Sequence, residues 1–202
     1  MSLNSEELLS FWFGQKPQRV GDVKQRMGTW FGSDRDLDRQ IDLQFGDLAA
    51  AAAGGKLDEW AAQPRTRLAL ILALDQLPRN IHRGDALAFA QDNKALALTL
   101  DGMSTGMDKE LADLERMFFC MPLQHSEDLE IQDTAVAAYE QLALDAGTLT
   151  KSALASALDF ARQHRDLIAR FGRFPHRNAL LGREPAREEI EFLESGGATF
   201  GQ

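Results

Sequence analysis

Residues 64–77, PRTRLALILALDQL, form an almost continuous apolar segment once past Arg67. It is too long for a strand, and Pro64 suits a first helical turn, so the pattern predicts a central buried helix that stops at Pro78. The rest of the chain is biased the same way. Val and Ile together number nine, while Ala and Leu dominate. Strand formers are scarce and helix formers abundant, so the expected fold class is all-α.

Further helices are placed by caps and periodicity. NSEELLSFWFG opens with Asn4 three residues before Glu7, as a capping box does, and stops at Gly14. From 34 to 53, Leu37, Ile41, Phe45, Leu48 and Ala52 recur at three and four to give one buried stripe, ended by Gly54 and Gly55. Segments at roughly 85–101, 108–120, 126–145, 150–171 and 185–195 follow, separated by Gly, Pro and short polar turns. About eight helices in a single domain over 1–202 are expected, paired as antiparallel hairpins and stacked into a layered or superhelical array. Residues 14–33 are the least regular and read as an extended loop wrapped over the core.

A formal net charge of -9 and a pI near 4.9 make a nucleic-acid backbone a poor partner. No apolar run approaches the roughly 20 residues of a membrane span, and MSLNSEELLSFWFG has no basic region ahead of its apolar stretch, so neither a membrane nor a secretory signal is expected. The expected compartment is the cytoplasm. Cys120, in MFFCMP, is the one cysteine and reads as buried packing.

Against this acidic background the arginines are concentrated. The chain has 16 Arg and 6 Lys, and RFGRFPHRN at 170–178 holds three of the arginines. The guanidinium fork suits carboxylates and phosphates. Arg170 and Arg173 sit at the end of the 150–171 helix, where cations suit exposed carbonyls, and Gly172 is the expected stop. His176, Arg177 and Asn178 lie beyond it, behind Pro175. A second turn, PRNIHRG at 78–84, repeats the vocabulary with Arg79, Asn80 and Arg83. Both turns are expected to face one pocket for a small anionic molecule, the alternative being buried bridges from these arginines to Asp75, Asp92, Glu115 and Asp166.

Other polar residues stand on apolar faces. Asp75 follows Leu68, Ile71 and Leu72 at helical spacing and requires a partner, which Arg79 can supply. His164 shares a face with Phe160, Leu167 and Phe171, as a satisfied core histidine or a site residue would. In PLQHSEDLEIQ, Ser126 can cap the next helix with Glu127 and Asp128 in its first turn, which leaves His125 unexplained. The candidate proton-handling residues are therefore His125, His164 and His176; a divalent metal at the histidines, His82 included, is a minor alternative because no His-Glu-x-x-His or Cys-x-x-Cys spacing occurs. No cofactor is expected.

FWFG, LDEW, LALDQLPRNIHRG, ERMFFCMPLQHSEDL and HRDLIARFGRFPHRNALLGR together resemble the bacterial family known as domain of unknown function 924, from about Leu8 to Phe200. The resemblance implies an all-α fold of the tetratricopeptide-like superfamily and no established activity. Its motif positions include Asp75, Gln76, Arg79, Asn80, Arg83, Glu115, Arg116, His125, Glu127, Asp128, His164, Arg170, Arg173, His176, Arg177 and Asn178. Gln124 replaces the Met expected before His125, and REPAREE replaces a Ser-Thr start to the last helix.

Two readings follow. In one, a ligand site, with or without catalysis, holds a phosphate or carboxylate on Arg79, Arg173 and Arg177. In the other, a scaffold or peptide-binding module uses its polar motifs as internal struts. Convergence of these side chains on one cavity favours the first, and dispersed pairing the second.

Overall fold

The computed structural model describes residues 4–200, which hold ten α-helices, four short 3-10 turns and no strand. The helices are α1 (Ser5–Phe13), α2 (Val20–Trp30), α3 (Arg35–Ala53), α4 (Pro64–Ile81), α5 (Asp92–Ser104), α6 (Asp113–Phe119), α7 (Met121–Gln124), α8 (Leu129–Asp145), α9 (Lys151–Phe171) and α10 (Arg187–Glu194). The all-α expectation holds.

Helix α4 is the axis of the molecule. Every residue from Arg67 to Arg79 is buried, because α1, α3, α5 and α6 pack around it. The main core joins α4 to Leu8, Trp12, Ile41, Phe45, Phe118 and Tyr139, and a smaller cluster of Leu167, Ile168 and Phe174 lies under the C-terminal segment. Among the described residues no helix is long and apolar enough to cross a membrane.

Three local expectations need correction. Residues 14–33 are not one extended loop, since α2 fills the middle of that stretch. Val23, Met27 and Trp30 recur at four and three, and the Asp22 carboxylate accepts the backbone N–H groups of Gln18 and Arg19 to start the helix. Gly21 and Gly28 obscure this pattern by lowering helix propensity. Trp30 then docks the helix, donating from Nε1 to the Trp12 carbonyl at 3.0 Å and packing edge-on against Phe118.

Pro78 does not end α4, which continues to Ile81. A proline in a helix interior costs about 3 kcal/mol, but the last turn is pinned by side chains just past it. Arg79 is paired with Asp92, while Asn80 and Arg83 both reach Asp38.

Asp128, not Ser126, caps α8, accepting from the N–H groups of Glu130 and Ile131. Ser126 instead accepts from the Asp128 N–H at 3.2 Å. Farther along, Gly172 ends α9 in the left-handed conformation at φ 67°, as expected, and the reversal brings 174–177 back toward α4.

Candidate functional site

A cavity of about 260 Å³ opens where the end of α4, α7, α9 and the 174–177 turn meet beneath α2. Its polar side consists of Gln76, Arg79, Asn80, Arg83, Gln124, His125, His164, His176 and Arg177. Met27, Trp30, Phe31, Gly32, Met121, Ala157, Phe160, Phe174 and Phe200 complete the wall. Arg79, Asn80 and Arg83 of one basic turn and His176 and Arg177 of the other thus line one space, with His125 and His164 beside them.

Asp75 stands behind this wall, wholly enclosed. Its Oδ1 lies 2.6 Å from His125 Nδ1 and 3.3 Å from Arg79, and its Oδ2 accepts from Gln76 at 2.6 Å. Burial disfavours the charged carboxyl, but His125, Arg79 and Gln76 outweigh it and hold the group well below the ordinary carboxylate range. For His125, burial and then the positive Arg79 push the imidazole below its ordinary value against the pull of Asp75. A neutral ring beside an ionised Asp75 donates from Nδ1–H, which leaves the Nε2 lone pair as its one acceptor.

The other histidines are also held neutral. His164 donates from Nδ1 to the Phe160 carbonyl at 2.8 Å, and burial lowers its pKa to about 3. Burial, then the neighbouring Arg177, takes His176 down to about 4, and its Nδ1 is buried without a hydrogen-bond partner.

The arginines differ in how fully they are used. Arg79 makes a two-pronged pair with Asp92 at 2.9 Å for each prong, and also donates to the Asp75 carbonyl. Arg83 forks onto Asp38 at 2.8 and 2.9 Å. Arg177, 7% exposed, has among the described residues one hydrogen bond, to Asp92 at 3.3 Å. Its Nε is buried with no acceptor, while the rings of Phe89 and Phe174 hold the guanidinium at 4.5 and 4.6 Å. Burial and then Arg79 depress it to about 10, so it stays charged at neutral pH.

Several expected site residues lie elsewhere. Glu115 binds Arg65 and the Ala112 N–H. Glu127 accepts from Arg183 and the Phe174 N–H, and Asp128 is the α8 cap. Arg170 lies over Phe171, and Arg173 is locked to Glu189 at 2.7 Å through two nitrogens, with Asn178 on the same carboxylate. The Arg173 hydrogen bonds pull the Glu189 carboxyl down to about 2. His82 lies outside the cavity, in a groove beside α3. Asp75 and Asp92 do form the buried bridges of the alternative reading, whereas among the described residues Asp166 meets only its neighbour Arg165. No group of three or more His, Cys, Asp or Glu among the described residues is gathered as metal ligands would be. Cys120 is buried as expected, its thiol pushed up to about 12 by burial.

Sequence reasoning missed the cavity's cover and Asp38. Met27 and Trp30 carried a signal in their spacing with Val23. Phe200 and Phe31 carried none, and Asp38 looks like an ordinary first-turn acid of α3.

A profile described as "Bacterial protein of unknown function (DUF924)" matches residues 8–197. The solved structure of a protein of unknown function, ATU0120 from Agrobacterium tumefaciens, is similar at 34% identity and a TM-score of 0.80, over 95% of this chain and 97% of that one. No curated protein matches the chain.

Proposed function

This chain belongs to the bacterial DUF924 family of unknown function, so its role must be argued from its own site, and we propose that the cavity binds a small molecule through an anionic group. The observation that carries this reading is Arg177. A buried guanidinium on a cavity wall, whose hydrogen bonding among the described residues is one 3.3 Å contact from Nη1 to Asp92, is poorly compensated, and an anionic oxygen in the cavity would pair with its Nη nitrogens. His125 is the proton-handling residue. Asp75 fixes its tautomer and leaves Nε2 to take a proton from a bound molecule or from water, as an orienting carboxylate does in acid–base sites. His164 and His176 flank it as neutral groups.

Arg79 and Arg83, each engaged by a carboxylate fork, support the scaffold reading at those two positions; there they set the angle of α4 against α3 and α5. Arg177 is not accounted for in that way. A lone Cys120 with no disulfide partner in the chain fits a reducing compartment, and the proposed setting is the cytoplasm.

The test is thermal unfolding of the full chain against carboxylated and phosphorylated metabolites, with Arg177→Met and Arg173→Ala beside it. A ligand at about 100 times its Kd adds roughly 2.7 kcal/mol to stability. The shift should disappear in Arg177→Met and survive in Arg173→Ala, because Arg173 serves Glu189 away from the cavity. Loss in both variants, or in neither, rejects Arg177 as the anchor.

A further inference from the structure

One wall of this cavity is an aromatic ring held against its histidines. Phe200 stacks on His164 with ring centroids 3.6 Å apart and planes 18° from parallel. Phe174 and His176 meet the same ring nearly edge-on, at 6.3 and 5.9 Å. A stacking floor with two edge-on walls is a slot shaped for a flat ring. Phe200 reaches it at φ 53°, the one non-glycine residue at positive φ among the described residues. A phenylalanine in that left-handed region is strained, which weakens its own hold on the slot. Phe174 borders both parts of the site, with Phe200 against its ring on one side and the Arg177 guanidinium 4.6 Å from its centroid.

Charge narrows the head group. Arg79 and Arg83 each hold a two-pronged carboxylate pair, on Asp92 and Asp38, so among the described residues Arg177 is the cavity cation without such a pair. The three histidines beside it are neutral at neutral pH and add no positive charge. One guanidinium fork matches the two oxygens of a single carboxylate, whereas a phosphate dianion would bring a second charge into a partly buried space with no cation left to meet it.

We infer that the ligand is an aromatic monocarboxylate, its ring in the slot on His164 that Phe200 now fills and its carboxylate on Arg177. This rests on the anion-site reading and goes further by naming ligand class and pose. Phe200 is then an internal competitor that the ligand's ring displaces.

Isothermal titration of the full chain tests it with benzoate, phenylacetate and 3-phenylpropionate, which vary the reach from ring to carboxylate. Cyclohexylacetate, phenyl phosphate, acetate and inorganic phosphate are the comparison probes. At least one aryl carboxylate should bind, tenfold or more tighter than cyclohexylacetate and phenyl phosphate. Phe200→Ala should tighten it about threefold or more by removing the competitor. Arg177→Met should abolish it, and if that variant does not fold, Arg177→Lys should weaken it by tenfold or more because an ammonium has no fork. Equal binding of cyclohexylacetate, tighter binding of phenyl phosphate, or weaker binding in Phe200→Ala each overturns the inference and leaves the anion site standing. No binding of any anion to the parent or to Phe200→Ala overturns both.

Discussion

Lowering the pH from 7.5 to 5.5 should destabilise this protein through its buried histidines. An unfolded imidazole takes a proton near 6.5, whereas His164 and His176 in the fold resist protonation down to about 3 and about 4. The unfolded chain therefore binds more protons in this window, and stability falls as pH falls. Linkage gives about 1.4 kcal/mol lost per histidine at pH 5.5, near 3 kcal/mol for the two. His125, also depressed, adds in the same direction. The carboxylates whose pKa is perturbed are held low, so they stay ionised over this range and do not offset the loss. For a chain of this size 3 kcal/mol is a drop of about 6–12 °C in Tm. Circular dichroism melts at pH 7.5, 6.5 and 5.5 at constant ionic strength measure it, and pH 5.5 stays above the pI near 4.9. His164→Phe should cut the drop by roughly a third to a half, since one of the depressed groups is gone. A Tm unchanged within about 2 °C across the range, or the same drop in His164→Phe, refutes the reasoning.

Two substitutions probe the framework around the site. Asp75→Asn removes the charge that His125 and Arg79 share in a fully enclosed position and should cost about 3–5 kcal/mol in chemical denaturation; a loss under about 1 kcal/mol would mean that Asp92 alone suffices for Arg79. Gly102→Ala places a Cβ 2.5 Å from Phe119 Cζ and 3.0 Å from Arg67 Cδ, both side chains buried. The overlap should cost about 1–3 kcal/mol and exceed the roughly 1 kcal/mol that alanine gains in a helix. A variant more stable than the parent refutes that balance.

What was legible in the sequence divides by the range of the interaction. Helix α4, the α3 stripe and the Gly172 stop are written in spacing and caps within one segment, and the structure keeps them. The pairing of Asp75 with Arg79 was readable for the same reason, since a carboxylate on an apolar stripe must find a cation and one stood a turn away. The partners of the other arginines were not. Arg79 meets Asp92 across 13 residues, Arg83 meets Asp38 across 45, and Arg177 reaches Asp92 across 85. RFGRFPHRN looked like one basic cluster, yet the helix end at Gly172 splits it: Arg173 turns to Glu189 while Arg177 turns inward to Asp92. Adjacent letters in a turn thus diverge, and distant turns converge. For the same reason Arg177 stood out by its single long contact to a carboxylate rather than by its motif. Motif membership is shared by Arg79, Arg173 and Arg177, and only the pairing around each decides which of them has donors left for a ligand.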